Sequence, residues 1–337
     1  MNNLLWLLMG LLILTCRSDT TTAGVHSPRH EPIIADRFIV YMQYPPLSSI
    51  NEEEKDYIVL HGIGNANKRD LVKEFLNRSP RVSPNGRLVA FLSAREGDFG
   101  RLRALGELAP RQIYGYDLAD DKITKLTSNF SLSQMGHLTS IQWDPNPNGL
   151  VCINSRNKIY FVRFGTDTVE TLCDLDSVSW ISSARVSPNG EHLVLSYGVQ
   201  TESIDHEISV REGVALLNMK SKGVTHLRVD LTGIAGWTPD GDSFLSCDTT
   251  GTWGIYHLRS KAFFPLSLPN SLKNYEISDL QFWNNDTLIF IGEKGIASEN
   301  EGPDDVYLFC MKNDRLITLT KDGNRKSDLT FYNKFRR

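Results

Sequence analysis

The sequence predicts an all-β fold, a six-bladed β-propeller, on three observations. A Pro-Asn/Asp-Gly turn between two strands recurs along the chain; a second pair of strands follows each copy; and the two extremities supply the missing parts of one more sheet. Each rests on elementary turn and strand chemistry.

The turn motif is clearest in Arg81-Val-Ser-Pro-Asn-Gly-Arg-Leu-Val-Ala-Phe-Leu-Ser and in Arg185-Val-Ser-Pro-Asn-Gly-Glu-His-Leu-Val-Leu-Ser. Looser copies are Gln142-Trp-Asp-Pro-Asn-Pro-Asn-Gly-Leu-Val-Cys-Ile and Gly236-Trp-Thr-Pro-Asp-Gly-Asp-Ser-Phe-Leu-Ser. Phe282-Trp-Asn-Asn-Asp-Thr-Leu-Ile-Phe-Ile is a worn copy, and Phe331-Tyr-Asn-Lys begins another. Proline fixes φ for the second turn position, Asn-Gly and Asp-Gly accept conformations that other residues resist, and the flanks are β-branched and aromatic. The apolar residue before each turn marks the repeat: Val82, Trp143, Val186, Trp237, Trp283 and Tyr332, at intervals of 43 to 61 residues.

A third strand, a polar turn and a fourth strand follow at Gln112-Ile-Tyr-Gly-Tyr-Asp, Lys158-Ile-Tyr-Phe-Val-Arg and Asp305-Val-Tyr-Leu-Phe-Cys. Four strands per repeat make a blade. Ser327-Asp-Leu-Thr-Phe-Tyr reads as an innermost strand with nothing after it. Arg37-Phe-Ile-Val-Tyr-Met-Gln, Asp56-Tyr-Ile-Val-Leu and Asp70-Leu-Val-Lys-Glu-Phe read as second, third and fourth strands lacking a first. A sixth blade stitched from both ends leaves no open sheet edge at the seam.

The expected organisation is therefore a signal peptide over 1–16, a flexible tether over 17–31 and the propeller over 32–337. Leu4 to Leu14 is an unbroken apolar run, too short to span a bilayer as a helix but suited to a signal-peptide core. Ile13-Leu14-Thr15-Cys16 resembles a bacterial lipobox, with Cys16 as the residue lipidated; cleavage near Thr21-Thr22-Ala23 or an uncleaved anchor are the alternatives. Arg17 to Glu31 is rich in Ser, Thr, Pro and His, as a tether is. Export to the periplasm or cell envelope follows, with secretion as second choice.

Composition excludes some functions. Lysine and arginine total 36 against 40 acidic residues, with no long block of one sign, so no nucleic-acid footprint exists. Cys152, Cys173, Cys247 and Cys310 have no CxxC or Cys/His spacing and sit in strand-like contexts, which favours buried free thiols over disulfides or a zinc site. No Gly-x-Ser-x-Gly elbow, P-loop, HExxH or EF-hand spacing occurs, so no catalytic residue and no cofactor is expected.

At the Ser-Pro-Asn-Gly turns and the later Ile/Val-Tyr strands, the chain resembles the propeller of TolB and related WD-like proteins. TolB carries an α/β domain ahead of its propeller; the residues before Arg37 are too few and too polar to form one. The resemblance implies a non-catalytic envelope propeller that binds a protein or peptide. Related oligogalacturonate lyases hold a divalent metal at the central channel through histidines. That leaves a second reading, a lyase or hydrolase acting on a sugar or peptide, for which His137 and His206 form the one pair worth testing.

Connections between second and third strands are long at Tyr44 to Lys55, Arg95 to Arg111, Gln200 to Arg211 and Glu293 to Asp304, and all emerge on one rim. Long loops on a rigid scaffold carry recognition. The first of the charged loops is basic, with Arg95, Arg101, Arg103 and Arg111 and with Phe99 as an anchor. Glu202, Asp205, His206 and Glu207 make the next acidic, as do Glu299, Glu301, Asp304 and Asp305 in the last. Arg95, Phe99, Arg101, Arg103, Arg111, Glu202, His206 and Glu299 are the expected partner-binding residues, on a protein expected to be monomeric.

Overall fold

The computed structural model describes residues 36–44, 57–64, 67–74, 76–95, 112–127, 135–166, 168–202, 208–227, 230–266, 268, 272, 275–294, 304–322 and 324–334. All of them belong to the compact unit Pro32–Arg337. Among them, strands make six four-stranded antiparallel sheets. Blade one is β4 (Asn77–Val82), β5 (Leu88–Ser93), β6 (Gln112–Asp117) and β7 (Lys122–Lys125). Blade two is β8 (Leu138–Trp143), β9 (Gly149–Asn154), β10 (Lys158–Arg163) and β11 (Thr168–Asp174). Blade three is β12 (Trp180–Val186), β13 (His192–Glu202), β14 (Ile208–Asn218) and β15 (Val224–His226). Blade four is β16 (Leu231–Trp237), β17 (Ser243–Asp248), β18 (Trp253–His257) and β19 (Ala262–Pro265). Blade five is β20 (Tyr275–Asn284), β21 (Thr287–Lys294), β22 (Asp304–Cys310) and β23 (Arg315–Thr318). The sixth joins β24 (Arg325–Asn333) to β1 (Arg37–Tyr44), β2 (Tyr57–Gly62) and β3 (Lys68–Val72).

The six-bladed β-propeller follows from how the strands are buried. Second strands are covered on both faces: every residue of β9, Gly-Leu-Val-Cys-Ile-Asn, is buried. Outer strands such as β7 and β23 alternate half-buried with exposed residues, because one edge meets water. Six buried clusters fill the six gaps between neighbouring sheets. The period of two along β1 shows the arrangement. Phe38, Val40 and Met42 pack against Val89, Phe91 and Tyr114 of blade one, while Ile39 and Tyr41 pack against Trp283, Ile289 and Ile291 of blade five.

The repeated turn uses the same bonds in three copies. The amides of Gly86, Gly190 and Gly241 donate to the carbonyls of Ser83, Ser187 and Thr238 at 2.8, 2.9 and 2.9 Å. Each glycine has a φ of 72° to 76°, in the left-handed region. The hydroxyls of Ser83, Ser187 and Thr238 donate to Asn85, Asn189 and Asp240 and accept the amides of Leu88, His192 and Ser243. The marker residues also tie blades together. The indole Nε1 of Trp143 donates to the carbonyl of Arg81, and that of Trp237 to the carbonyl of Arg185, both at 2.8 Å.

Closure follows the expected pairing, with Phe38 opposite Tyr332, Ile39 opposite Phe331 and Val40 opposite Thr330. The fourth strand of that blade is displaced from the sequence reading: it runs over Lys68–Val72, with Lys73 and Glu74 beyond its end and Phe75 outside the described residues. The cysteines are free, as expected, but only Cys152 is buried; Cys173, Cys247 and Cys310 are half-buried. Cys16, the signal peptide and the tether lie outside the described residues.

Candidate functional site

The inner strands β4, β8, β12, β16, β20 and β24 surround the channel, and each carries a register shift where it meets its second strand. A bulge breaks the alternation of side chains and re-aims one of them. Ser79, Asp279 and Asp328 take φ values of 50°, 49° and 55°, the left-handed region that non-glycine residues rarely occupy.

These bulges line a cavity of about 390 Å³ whose walls include Arg78, Ser79, Arg81, Ser140, Ser183, Arg185, Asp279 and Asp328. Its lining runs from the second residues of β4 and β8, Arg78 and Thr139, through the middle of the other inner strands to the penultimate residues of β4 and β12, Arg81 and Arg185, together with Trp253 at the start of β18. The cavity therefore lies along the middle of the channel.

Two arginines and two aspartates balance one another in this funnel. Arg185 donates to Asp279 Oδ1 at 3.3 Å, and Arg81 Nη2 lies 3.6 Å from Asp328 Oδ1. Each arginine is also held by its own strand, Arg81 on the carbonyl of Pro80 and Arg185 on that of Ala184. Asp279 Oδ2 accepts the amide of Leu329, so the carboxylate links β20 to β24. Burial lowers the Arg185 guanidinium to about 10, assisted by the like charge of Arg81 and opposed by Asp279. Burial likewise raises the Asp279 carboxyl, against the pull of Arg185. Both groups are held at the cost of solvation by fixed partners, which makes a rigid, polar, charge-balanced surface.

None of these four residues was among the expected site residues, although a signal existed. The arginine precedes the marker in both intact Arg-Val-Ser-Pro-Asn-Gly copies, and Ser278-Asp279-Leu280 recurs as Ser327-Asp328-Leu329. Of the expected rim residues, Arg95 is described, its guanidinium 5.4 Å from the ring centre of Tyr114 in a cation–π contact. Glu202 is exposed at the tip of β13. Phe99, Arg101, Arg103, Arg111, His206 and Glu299 lie outside the described residues. The stretch from Gln200 to Arg211, read as a loop, is largely strand: β13 and β14 pair from His192↔Asn218 to Glu202↔Ile208 and project as a ribbon. Asp304 and Asp305, read as rim charges, instead serve the closure of the ring, Lys326 donating to the Asp304 carbonyl and lying 3.7 Å from Asp305.

His137 is half-buried at the start of β8, and its carbonyl accepts the amide of Ser155. His206, its expected partner, lies outside the described residues. Among the described residues no three His, Cys, Asp or Glu side chains gather as a metal-binding group. Ser243 Oγ and His257 Nδ1 are 2.7 Å apart, but Ser243 is buried in its sheet at 3% exposure, away from the funnel.

The fold is shared with solved propellers. TolB from Acinetobacter baumannii superposes with a TM-score of 0.60 at 14% identity, over 88% of this chain and 66% of that one. A TolB-assigned structure from Agrobacterium tumefaciens gives 0.56 at 16% identity, over 83% of this chain and 98% of that one. The propeller domain of the Trilobed protease from Pyrococcus furiosus gives 0.50 at 13% identity, over 84% and 82%. This chain thus spans less than two thirds of the Acinetobacter protein's length. No protein-family model matches the sequence. No curated protein matches it either.

Proposed function

We propose that this protein is an exported, envelope-associated propeller that binds a protein or peptide partner on the rim carrying the long inter-strand loops, with the channel funnel at its centre, without catalysing a reaction. The observation that carries this reading is the funnel of Arg81, Arg185, Asp279 and Asp328, fixed on bulged inner strands around the middle of the channel. Charges already paired and bonded to backbone lose little freedom on binding, and they present donors and acceptors to polar groups of a partner. We assign Arg95, Phe99, Arg101, Arg103, Arg111, Glu202, His206 and Glu299 to this surface. The fold that this reading requires is shared with the TolB structures. Attachment to the membrane through a lipidated Cys16 completes the proposal, and mass spectrometry of the mature N-terminus tests that part.

The binding part is tested by replacing Arg101 and Arg103 with alanine and recovering partners from envelope extract. A partner retained by the wild type and lost from the double variant supports the rim. Unchanged recovery removes this loop from the surface.

A further inference from the structure

The channel cavity is lopsided in charge and in polarity. Its lining holds three guanidinium groups, those of Arg78, Arg81 and Arg185, against two carboxylates, those of Asp279 and Asp328. Arg81 and Arg185 face these carboxylates, at 3.6 and 3.3 Å. Arg78, exposed on β4, makes no hydrogen bond or ion pair among the described residues. The repeat shows why. Pairing with the second strand is interrupted between Arg78 and Arg81 of β4, between Ser278 and Gln281 of β20, and between Ser327 and Thr330 of β24. The residue that opens each break, Ser79, Asp279 or Asp328, has the left-handed φ, so blade one carries a serine where blades five and six carry carboxylates. One positive charge is left over. The apolar part of the lining lies across the channel from it. Inner strands follow one another around the ring in the order β4, β8, β12, β16, β20, β24, which sets β16 opposite β4. All the apolar residues of the lining come from that opposite blade: Ile234 and Ala235 of β16 and Trp253 of β18.

We propose that the channel seats a compact apolar monocarboxylate, its carboxylate on the Arg78 guanidinium and its apolar body against Ile234, Ala235 and Trp253. The proposal rests on the reading of the channel as the centre of a binding surface and names the chemistry that it takes. A guanidinium holds a carboxylate through two parallel hydrogen bonds. The hydroxyls of Ser79 and Ser140, which line the same cavity and make no hydrogen bond among the described residues, supply further donors. A monoanion cancels the one surplus charge, whereas a phosphate dianion would leave a negative excess beside Asp279 and Asp328. The volume of about 390 Å³ is at the small end of ligand cavities, which run from about 300 to 1,000 Å³, and suits a group the size of one acylated amino acid. That group is either a free small molecule or the last residue of a partner chain, and the same contacts serve both.

The test is a titration of the whole protein, followed by calorimetry and by the side-chain Nε–H resonance of Arg78, with N-acetyl-leucine, N-acetyl-glycine and N-acetyl-leucinamide as probes. N-acetyl-leucine should bind roughly tenfold more tightly than N-acetyl-glycine, because its side chain is buried against blade four. The amide, without a charge to offer Arg78, should not bind. Arg78→Gln should weaken N-acetyl-leucine roughly tenfold or more, and Arg78→Lys, which keeps the charge and loses the fork, by less. Acetyl-Gly-Gly-Leu with a free C-terminus separates the two sources: tighter binding than N-acetyl-leucine assigns the seat to a chain end, weaker binding to a free carboxylate. No saturable binding of either carboxylate, equal binding of the amide, or full affinity in an Arg78→Gln variant with unaltered thermal unfolding overturns the proposal. Should that happen while recovery of a partner still depends on Arg101 and Arg103, the seat is refuted and the binding reading stands.

Discussion

Lys326 and Asp322 hold the two ends of the chain together. The Lys326 ammonium, with no exposed side-chain surface, donates to Asp322 Oδ1 at 2.6 Å and to the carbonyls of Asp304 and Asn324 at 2.5 and 2.9 Å. Lys68 of β3 donates to the other oxygen, Asp322 Oδ2, at 2.5 Å. One carboxylate thus bridges the C-terminal strand and the outermost strand of the N-terminal segment, and Lys326 extends the link to blade five.

Asp322→Asn should destabilise the ring by about 1–3 kcal/mol at neutral pH, since it removes the nearer carboxylate from a buried ammonium and leaves Asp305, 3.7 Å away, as its remaining charged partner. Burial pushes the Asp322 carboxyl up, but hydrogen bonds from Lys326 and Lys68 outweigh it and hold the group well below its ordinary 3.8. A lowered folded value means that the stabilisation is complete above the unfolded value and is lost as pH falls through the folded one. Denaturant midpoints of wild type and variant should therefore converge in acid. A gap that stays constant with pH contradicts the clasp.

Arg185 and Asp279 should show the opposite pH trend. Asp279 is held above 3.8 by burial, so the folded state keeps a proton that the unfolded chain has lost, and stability falls as pH rises through that interval. Arg185→Met removes the opposing charge and should extend the fall to higher pH. In a double-mutant cycle with Asp279→Asn, the two losses should fall short of additive by about 1 kcal/mol or more. Additive losses would mean that the 3.3 Å contact does not couple them.

The turn glycines are not equivalent. A Cβ on Gly86 would lie 2.7 Å from the ring of Tyr332, whereas on Gly190 the nearest atom is Asp144 Oδ1 at 3.4 Å. Both substitutions to alanine carry the left-handed penalty of about 1 kcal/mol. Only Gly86→Ala also displaces an aromatic ring of the closing blade, adding about 1–3 kcal/mol. Thermal unfolding of the two variants distinguishes them; equal losses would place Tyr332 elsewhere.

Trp143→Phe and Trp237→Phe each delete an indole hydrogen bond to the neighbouring blade while keeping an aromatic ring. A loss of about 1–3 kcal/mol each is expected, because a buried carbonyl loses its donor. Losses within error of zero would show that these bonds do not join the blades.

Much of the ring was legible from sequence because its turns are chemically strict. Pro-Asn-Gly fixes φ at consecutive positions, so Val82, Trp143, Val186, Trp237 and Trp283 marked real inner strands, and the orphan strands at Ile39 and Phe331 found each other. The funnel was not read, because its charges come from four blades and converge through bulges, which composition does not announce. The ribbon was read as a loop for a related reason: Gln200-Thr-Glu and Ile208-Ser-Val-Arg-Glu are polar enough to resemble a connection, and pairing to each other alone makes them strands. The long connection after Arg95 keeps its place in the proposal on sequence alone.

Photo-crosslinking tests the central claim most directly. A benzophenone amino acid placed at Ser183, on the funnel wall, is compared in intact cells with one at Asn189, on the turn at the opposite end of β12. The account predicts a discrete adduct with one protein or peptide from Ser183 and none from Asn189. Adducts from Asn189 alone would put the partner on the other face and contradict it.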